Sequence, residues 1–419
     1  MAEIDIHCDV LVTGGGSAGL AAAVSAARQG AKVILLERNS YIGGKATAAI
    51  VGTICGLYYR SENPVSRFVS HGFAKEFAEK LQRRSKLEPI QNKVNLHFLP
   101  YDPFDFKIIS DEYVERENME VFFHTTISSV NKNADKIKSV SAIAFDRRVN
   151  FYPKAVIDCT GEAMVSSLAE INIIEAEEYQ ASAQVFSMTG IEAPHISEEK
   201  LGMSMMLEIQ RAIQEGRLMK EYNRLSIVPG SLDHKNAYLK IGIPEKISNE
   251  TNKVTRIEFT ARQMVRGIAD FLISNVAEFK NAKLLEVAKE AGIRTGRRSL
   301  GLYTLTKEDV LSCRRFEHVV ARGAWPIEEW NLDKRVHMDY FEMDNYYEIP
   351  ADCLVSGQLK NLFFAGRNIS ATETAMASAR VIATCMDTGY AAGIMASAYI
   401  KEGSYISGLQ EIRKYNFVL

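Results

Sequence analysis

The six cysteines of this 419-residue chain, at positions 8, 55, 159, 313, 353 and 385, are scattered and form no CxxC pair. That spacing argues against a cysteine zinc site or a dithiol redox centre, and no metal is expected; reduced thiols in a cytoplasmic protein are the expectation. The N-terminus also lacks a basic segment followed by an apolar core and a small-residue cleavage site, so no standard secretory leader is predicted. Long apolar runs are missing as well. The best candidate, Ala375 to Ile400, is interrupted by Arg380, Asp387 and Gly389, which predicts a packed helix in place of a membrane span. Charge of one sign is not in excess: 50 basic and 52 acidic residues leave a net of -2, too little field to hold nucleic acid nonspecifically. The ten prolines are dispersed, and there is no internal repeat, low-complexity tract or long charge block.

What is present is material for a buried core. A hydrophobic fraction of 47% over this length suits a globular chain of two or three domains. Near the start, Cys8 to Thr13 forms a short apolar run suited to a buried parallel strand, and Gly14, Gly15, Gly16, Ser17, Ala18 and Gly19 follow it without a spacer. Leu20 to Gly30 is alanine-rich and helical, with Gly30 where a helix would stop. Lys32 to Glu37 then reads as a second strand with an acidic end. In this order the glycines have separate jobs: Gly14 for a tight turn, Gly16 for backbone approach to a pyrophosphate, and Gly19 for close packing of helix on strand. Glu37, about 18 residues beyond Gly19, stands where a carboxylate would accept hydrogen bonds from ribose hydroxyls. A lone GxGxxG is weak, but strand, glycines, helix, strand and acid in sequence predict a dinucleotide-binding unit.

Three further segments separate one dinucleotide from another. Arg38 to Thr47, with Gly43, Gly44, Lys45, Ala46 and Thr47, resembles the stretch after the second strand in flavoproteins of the glutathione reductase structural class. Ala155 to Glu162, ending in Thr160 and Gly161, is similar to the flavoprotein motif that returns the chain to the cofactor. Asn361 to Ser370, with Gly366 and Arg367, followed by Ala375 to Val381 with Arg380 and Val381, is similar to the closing segment of the FAD-dependent oxidoreductases. Thr372 or Thr374 would cap the helix there. Blocks at Gly292 to Gly301, Tyr303 to Val310 and Tyr347 to Pro350 extend the likeness over most of the chain. The resemblance implies bound FAD, with Ile127 as a backbone contact to adenine. Two departures stand out: Thr295 and Gly296 replace an acidic and a hydroxyl residue, and Trp330 stands where histidine is common. A second GxGxxG unit is absent, which argues against a built-in nicotinamide domain.

The expected architecture is α/β: a Rossmann-like FAD-binding domain with a parallel sheet and a small β-meander, plus an inserted α+β substrate domain. The FAD domain is placed discontinuously at 1–175 and 345–419, with the substrate or cap domain at 176–344. Val121 to Val130 and Ser139 to Phe145 read as strands of the meander, Ser204 to Gly216 and Thr260 to Glu278 as helices, and Asn236 to Gly242 as a strand. Arg294, Arg297 and Arg298 are candidates to hold a substrate carboxylate, against a structural ion-pair cluster. Cys55 is a candidate to face the flavin, against simple burial. Of these, Arg298 and Cys55 are carried as the catalytic candidates. His318, His337, Trp325 and Trp330 lack a supporting motif. The expected activity is hydride transfer between bound flavin and a small-molecule substrate, as a dehydrogenase, oxidase or reductase. The alternatives are flavin monooxygenation, disfavoured because Ala-Gly-Arg-Asn stands where many hydroxylases place Gly-Asp, and a non-catalytic flavin-binding or RNA-associated protein. A homo-oligomer is left open.

Overall fold

The computed structural model describes residues 3–176, 179–193, 195–248, 250–331 and 336–417. Strand β1 (Glu3–Thr13) sits in the middle of a seven-stranded sheet, and its apolar residues Val10, Leu11 and Val12 are fully buried. It pairs in parallel with β2 (Val33–Leu36) on one side and with a long strand, Arg147–Asp158, on the other. A central parallel strand is covered on both faces, which is why the run is continuously apolar. Between β1 and β2 lies helix α1 (Ser17–Arg28). Its end is set by Gly30: with φ +82° this residue turns the chain, donating to Ala27 O while Ala31 donates to Ala26 O, so the last carbonyls are satisfied.

Two helices, α2 (Phe73–Ser85) and α3 (Pro103–Arg116), lead to β3 (Glu120–Phe122), which extends the sheet by pairing with β2. The single strand expected over Val121 to Val130 is broken: His124 takes a left-handed turn (φ +52°), and β4 (Thr125–Asn133) begins beyond it at the opposite edge of the sheet. Strands β4, β5 (Lys136–Ala144) and β6 (Arg147–Asp158) form an antiparallel meander. β6 changes partner along its length. Its first half pairs with β5, its last residues pair in parallel with β11 (Leu362–Phe364), and on the other side it follows β1 throughout.

A second sheet of four antiparallel strands, in the order β8 (Leu225–Ile227), β9 (Asn236–Gly242), β7 (Ala183–Thr189), β10 (Lys283–Val287), forms the insert. Helices α4 (Glu198–Gln214) and α5 (Thr251–Asn275) cover one of its faces, with Leu201, Met205, Ile268 and Leu272 packed on Phe186, Leu239 and Ile241. The part of the chain after this sheet packs elsewhere. Leu305, Val310, Val320, Ile327 and Phe341, expected with the insert at 176–344, share the core of Val10, Val12, Leu20 and Phe363. Sequence order put them inside the insertion; their apolar side chains are buried against the seven-stranded sheet and α1.

The C-terminal apolar stretch is two helices, α6 (Glu373–Ala379) and α7 (Ile382–Glu402), separated at Arg380 and Val381. Thr372 caps α6 by accepting from the Ala375 N–H at 3.2 Å. α7 lies against α1 across a seam of small residues. A Cβ on Gly389 would stand 2.1 Å from Ala18 O, and one on Gly393 would stand 1.9 Å from Ser25 Oγ.

Two expected outcomes follow from α7. Gly389→Ala forces the helices apart, and thermal unfolding should show a loss of about 1–3 kcal/mol. Asp387 is 2% exposed, and burial pushes its carboxyl up to about 7 from the usual 3.8. The unfolded chain therefore releases this proton first as pH rises, and stability contributed by the protonated group is lost between about pH 4 and 7. At about 1.4 kcal/mol per unit, Asp387→Asn should raise the melting temperature relative to wild type at pH 8 and not at pH 4.

Candidate active site

A cavity of about 580 Å³ runs from the turn after β1 to the underside of the insert sheet. Its first end is built where β1, β6 and β11 stop and α1 begins. Gly14 has φ +94°, and a Cβ there would stand 2.7 Å from Cys159 O; a Cβ on Gly19 would stand 1.8 Å from Gly14 O. Both positions are closed by backbone, so turn and helix meet only because these side chains are missing. Gly16 differs: its nearest neighbour would be Gly44 Cα at 3.9 Å, and the rest of the space is cavity. Gly16 is also the N-cap of α1, and no side chain caps that helix. The N–H groups of its first turn are therefore available to an anion, in the field of the positive helix end.

Glu37 closes one flank. It is 5% exposed and accepts from Gly15 N–H at 2.7 Å and Asn39 N–H at 2.8 Å. Burial raises its pKa while these two N–H groups oppose the rise. Opposite it, Asp158 shapes the Thr160–Gly161 turn by accepting from the Thr160 hydroxyl at 2.7 Å, its N–H at 3.0 Å and Val165 N–H at 2.9 Å. Gly161 leaves room for Arg367, whose guanidinium passes 2.7 Å from the position of a Cβ and donates to Ile293 O at 3.0 Å. Gly366 (φ +71°) lets the closing segment reach α1, since a Cβ there would meet Ala18 Cβ at 2.7 Å. Lys45 and Arg38 both pair with Glu290, at 2.6 and 2.9 Å, tying the glycine segment to the chain that leaves β10. Burial lowers the Lys45 pKa and Glu290 counters it.

The second end is a chamber between the α6–α7 break and the insert sheet. Arg380 reaches it from the break, 3.7 Å from the Glu328 carboxylate, which also accepts from Trp325 Nε1 at 3.0 Å. Arg294 lies over the Trp330 ring at 4.1 Å and donates to Ala181 O. Lys240 lies over the same ring at 5.0 Å. Burial, and then Arg380, push the Arg294 pKa down to about 9; burial, and then Arg294, lower that of Lys240. Glu328 is held below the usual carboxylate range by Arg380, against burial. Cys55 lines the chamber with its thiol pushed up to about 12 by burial. At neutral pH it is a thiol, a weak nucleophile.

Of the residues expected to hold the dinucleotide, all line this cavity except Gly19 and Thr47, which pack behind it, Gly19 against Gly14 O and Thr47 against Gly43. Ser17, Ala18, Gly43, Ala46, Ile127 and Val381 are among those that do. Arg298 is corrected: it is 1% exposed, is not part of the lining, and donates to Glu373 at 2.6 Å and to the Ala371 and Gly296 carbonyls at 2.8 Å. The acid beside this arginine thus comes from α6, and Gly296 leaves room for Glu162, whose Oε2 lies 2.2 Å from where a Cβ would be. Arg297 contacts Ser167 Oγ at 3.3 Å, and neither His318 nor His337 reaches the lining. Sequence reading missed Asp158, Glu290, Glu328 and Lys240. For Lys240 a signal existed, because Ala237, Leu239 and Ile241 alternate into the insert core and Lys240 must face the other way.

A mixed sheet with a parallel centre, a glycine turn, an uncapped helix end, a buried carboxylate and a covered chamber match a dinucleotide-binding redox protein of the Rossmann-like kind. The family model "FAD dependent oxidoreductase" matches residues 9–416, and the chain belongs to that family, with FAD as its cofactor. Over 39 residues it is 59% identical to 4-oxocyclohex-2-ene-1-carboxylate 5-dehydrogenase of Sinomonas cyclohexanicum, covering 9% of this chain and 7% of that protein. Over 57 residues it is 53% identical to sarcosine oxidase subunit alpha of Rhizobium meliloti (strain 1021), covering 13% of this chain and 6% of that one. The chain thus spans less than a tenth of the length of either curated relative in these matches. Among solved structures, CabE, an aromatic hydroxylase from angucycline biosynthesis, shares the fold with a TM-score of 0.51 at 10% identity, over 97% of this chain and 65% of that one. No helix among the described residues is long and apolar enough to cross a membrane.

Because Gly16 faces open cavity and no protein atom crowds it, Gly16→Val should fold normally and lose bound FAD. Flavin absorbance per mole of protein should fall at least tenfold while the circular dichroism spectrum is unchanged.

Proposed function

We propose that FAD lies along this cavity, its diphosphate on the N-terminus of α1, its adenosine between Glu37 and Ile127, and its reactive ring toward Arg380, Val381 and Cys55. When bound, the flavin supplies hydride acceptance and donation. The protein's part is to orient a small organic molecule in the chamber and to keep water out. The insert sheet does the covering: Ala183, Val185 and Lys240 on its lower face line the cavity while α4 and α5 shield its upper face. On this reading the flavin domain is 1–175 with 345–419, joined by the core residues of 305–341, and the cap is the sheet and helices of 183–287. The observation that carries the proposal is the continuity of one cavity from the glycine turn to a deep, charged chamber. With a net charge of -2, a cytoplasmic small-molecule enzyme that does not bind nucleic acid suits the chain better than an RNA-associated protein. Cys55 serves as a wall residue, since its protonated thiol is a poor attacking group.

One observation favours a second reading, monooxygenation: the fold shared with an aromatic hydroxylase. The two separate by experiment. In anaerobic solution the FAD-bound protein should be bleached by at least one class among amines, hydroxy acids and reduced nicotinamides. Turnover in labelled oxygen should leave the product unlabelled. A holoprotein that no class bleaches would count against the oxidoreductase reading, and label in the product would establish the hydroxylase.

A further inference from the structure

Outside the chamber, each cation in the cavity lining has a carboxylate within ion-pair distance. Along the lining, Arg38 and Lys45 share Glu290, Arg367 lies 3.8 Å from Glu162, and Arg380 lies 3.7 Å from Glu328. Lys240 and Arg294 remain. Among the described residues neither has a carboxylate within ion-pair distance, and Lys240 donates no hydrogen bond. They arrive from different elements, Lys240 from β9 and Arg294 from the chain beyond β10, and both lie over the ring of one tryptophan, Trp330. Arg380, 12% exposed, adds a third cation whose Nε has no acceptor. Three cations gathered against a single carboxylate in a sheltered space repel one another, and each is costly to hold unpaired. Such an arrangement is stabilised by an anion. Leu96, Phe98, Trp325 and Met338 form an apolar wall of the chamber.

Resting on the flavin reading above, we infer that the substrate is a small organic carboxylate whose acid group is held by Lys240 and Arg294 and whose apolar body lies against Phe98, Leu96 and Trp325. A carboxylate accepts from the lysine ammonium and from the free N–H groups of the guanidinium together, while the Trp330 ring holds each cation by a cation–π contact. A phosphate would bring a second negative charge and more acceptors to a pocket whose remaining walls offer few donors.

The FAD-bound protein is titrated with butyrate, benzoate and cinnamate, each beside its primary amide, and with inorganic phosphate. Binding is read from the flavin absorbance and from the heat of mixing. At least one acid should bind at least tenfold more tightly than its amide, the scale of a lost charge-assisted contact. Lys240→Met should bring that acid to within about threefold of its amide while FAD content stays at the wild-type value and the melting temperature does not fall, and Lys240→Arg should keep the preference. The inference is overturned if no acid outbinds its amide, if Lys240→Met leaves the preference intact, or if phosphate binds more tightly than every carboxylate. A protein that takes up no FAD would overturn the underlying cofactor reading instead, a result visible before any acid is added.

Discussion

Everything in this molecule is arranged around the close approach of peptide to peptide where β1 turns into α1. The Gly14 carbonyl occupies the place of a side chain at Gly19, the Cys159 carbonyl occupies that of Gly14, and Ala18 is met by Gly366 on one side and Gly389 on the other. Dispersion acts over such short distances only when nothing intervenes, so this knot of small residues holds the ends of β6 and β11, the start of α1 and the flank of α7 in one place. The same contacts that pack the core leave the N–H groups of α1 facing a cavity. Packing of the core and the shape of the cavity are therefore one constraint, met by the same few residues.

The other organising element is β6, which serves two sheet geometries in turn. Its first half belongs to an antiparallel meander and its last residues to a parallel layer. By changing neighbours, the strand brings the Thr160–Gly161 turn level with the end of β1 and gives β11 an edge to join. Asp158, the last residue of β6, then fixes the turn by accepting three hydrogen bonds. Partner exchange in the sheet thus sets the geometry of the nucleotide end.

Much of the glycine-turn end of the cavity was legible in the sequence, because short-range rules dictate it. Gly14, Gly16, Gly19 and Glu37 stand at spacings fixed by one strand, one turn and one helix, and the segment at Arg38 to Thr47 follows directly. The chamber was less legible because its residues meet only in three dimensions. Arg294 and Arg298 are four positions apart in one arginine-rich block, yet one enters the cavity and the other is enclosed with Glu373. Local pattern carries no record of that difference, which depends on where α6 begins. The break at Arg380 was hidden by the uniform alanine content on either side, and the turn at His124 by the apolar residues around it. Leu305, Val310, Val320, Ile327 and Phe341 lie away from the insert core for a related reason: position in sequence says where a segment is inserted, and burial decides which core it joins.

Glu290 couples the insert sheet to the glycine segment. It belongs to the chain that leaves the insert sheet, yet it is the counter-charge of Lys45 on the nucleotide side. Removing or exchanging the cap would strand a sheltered ammonium beside the glycine segment, so the two modules are not interchangeable parts. In a lineage, a new cap must bring its own acid to this spot, or the host must surrender its lysine. Diversity of substrates on this framework is thus coupled to the electrostatics of the shared half, and grafts between relatives should be chosen by that pair before any residue of the chamber is considered.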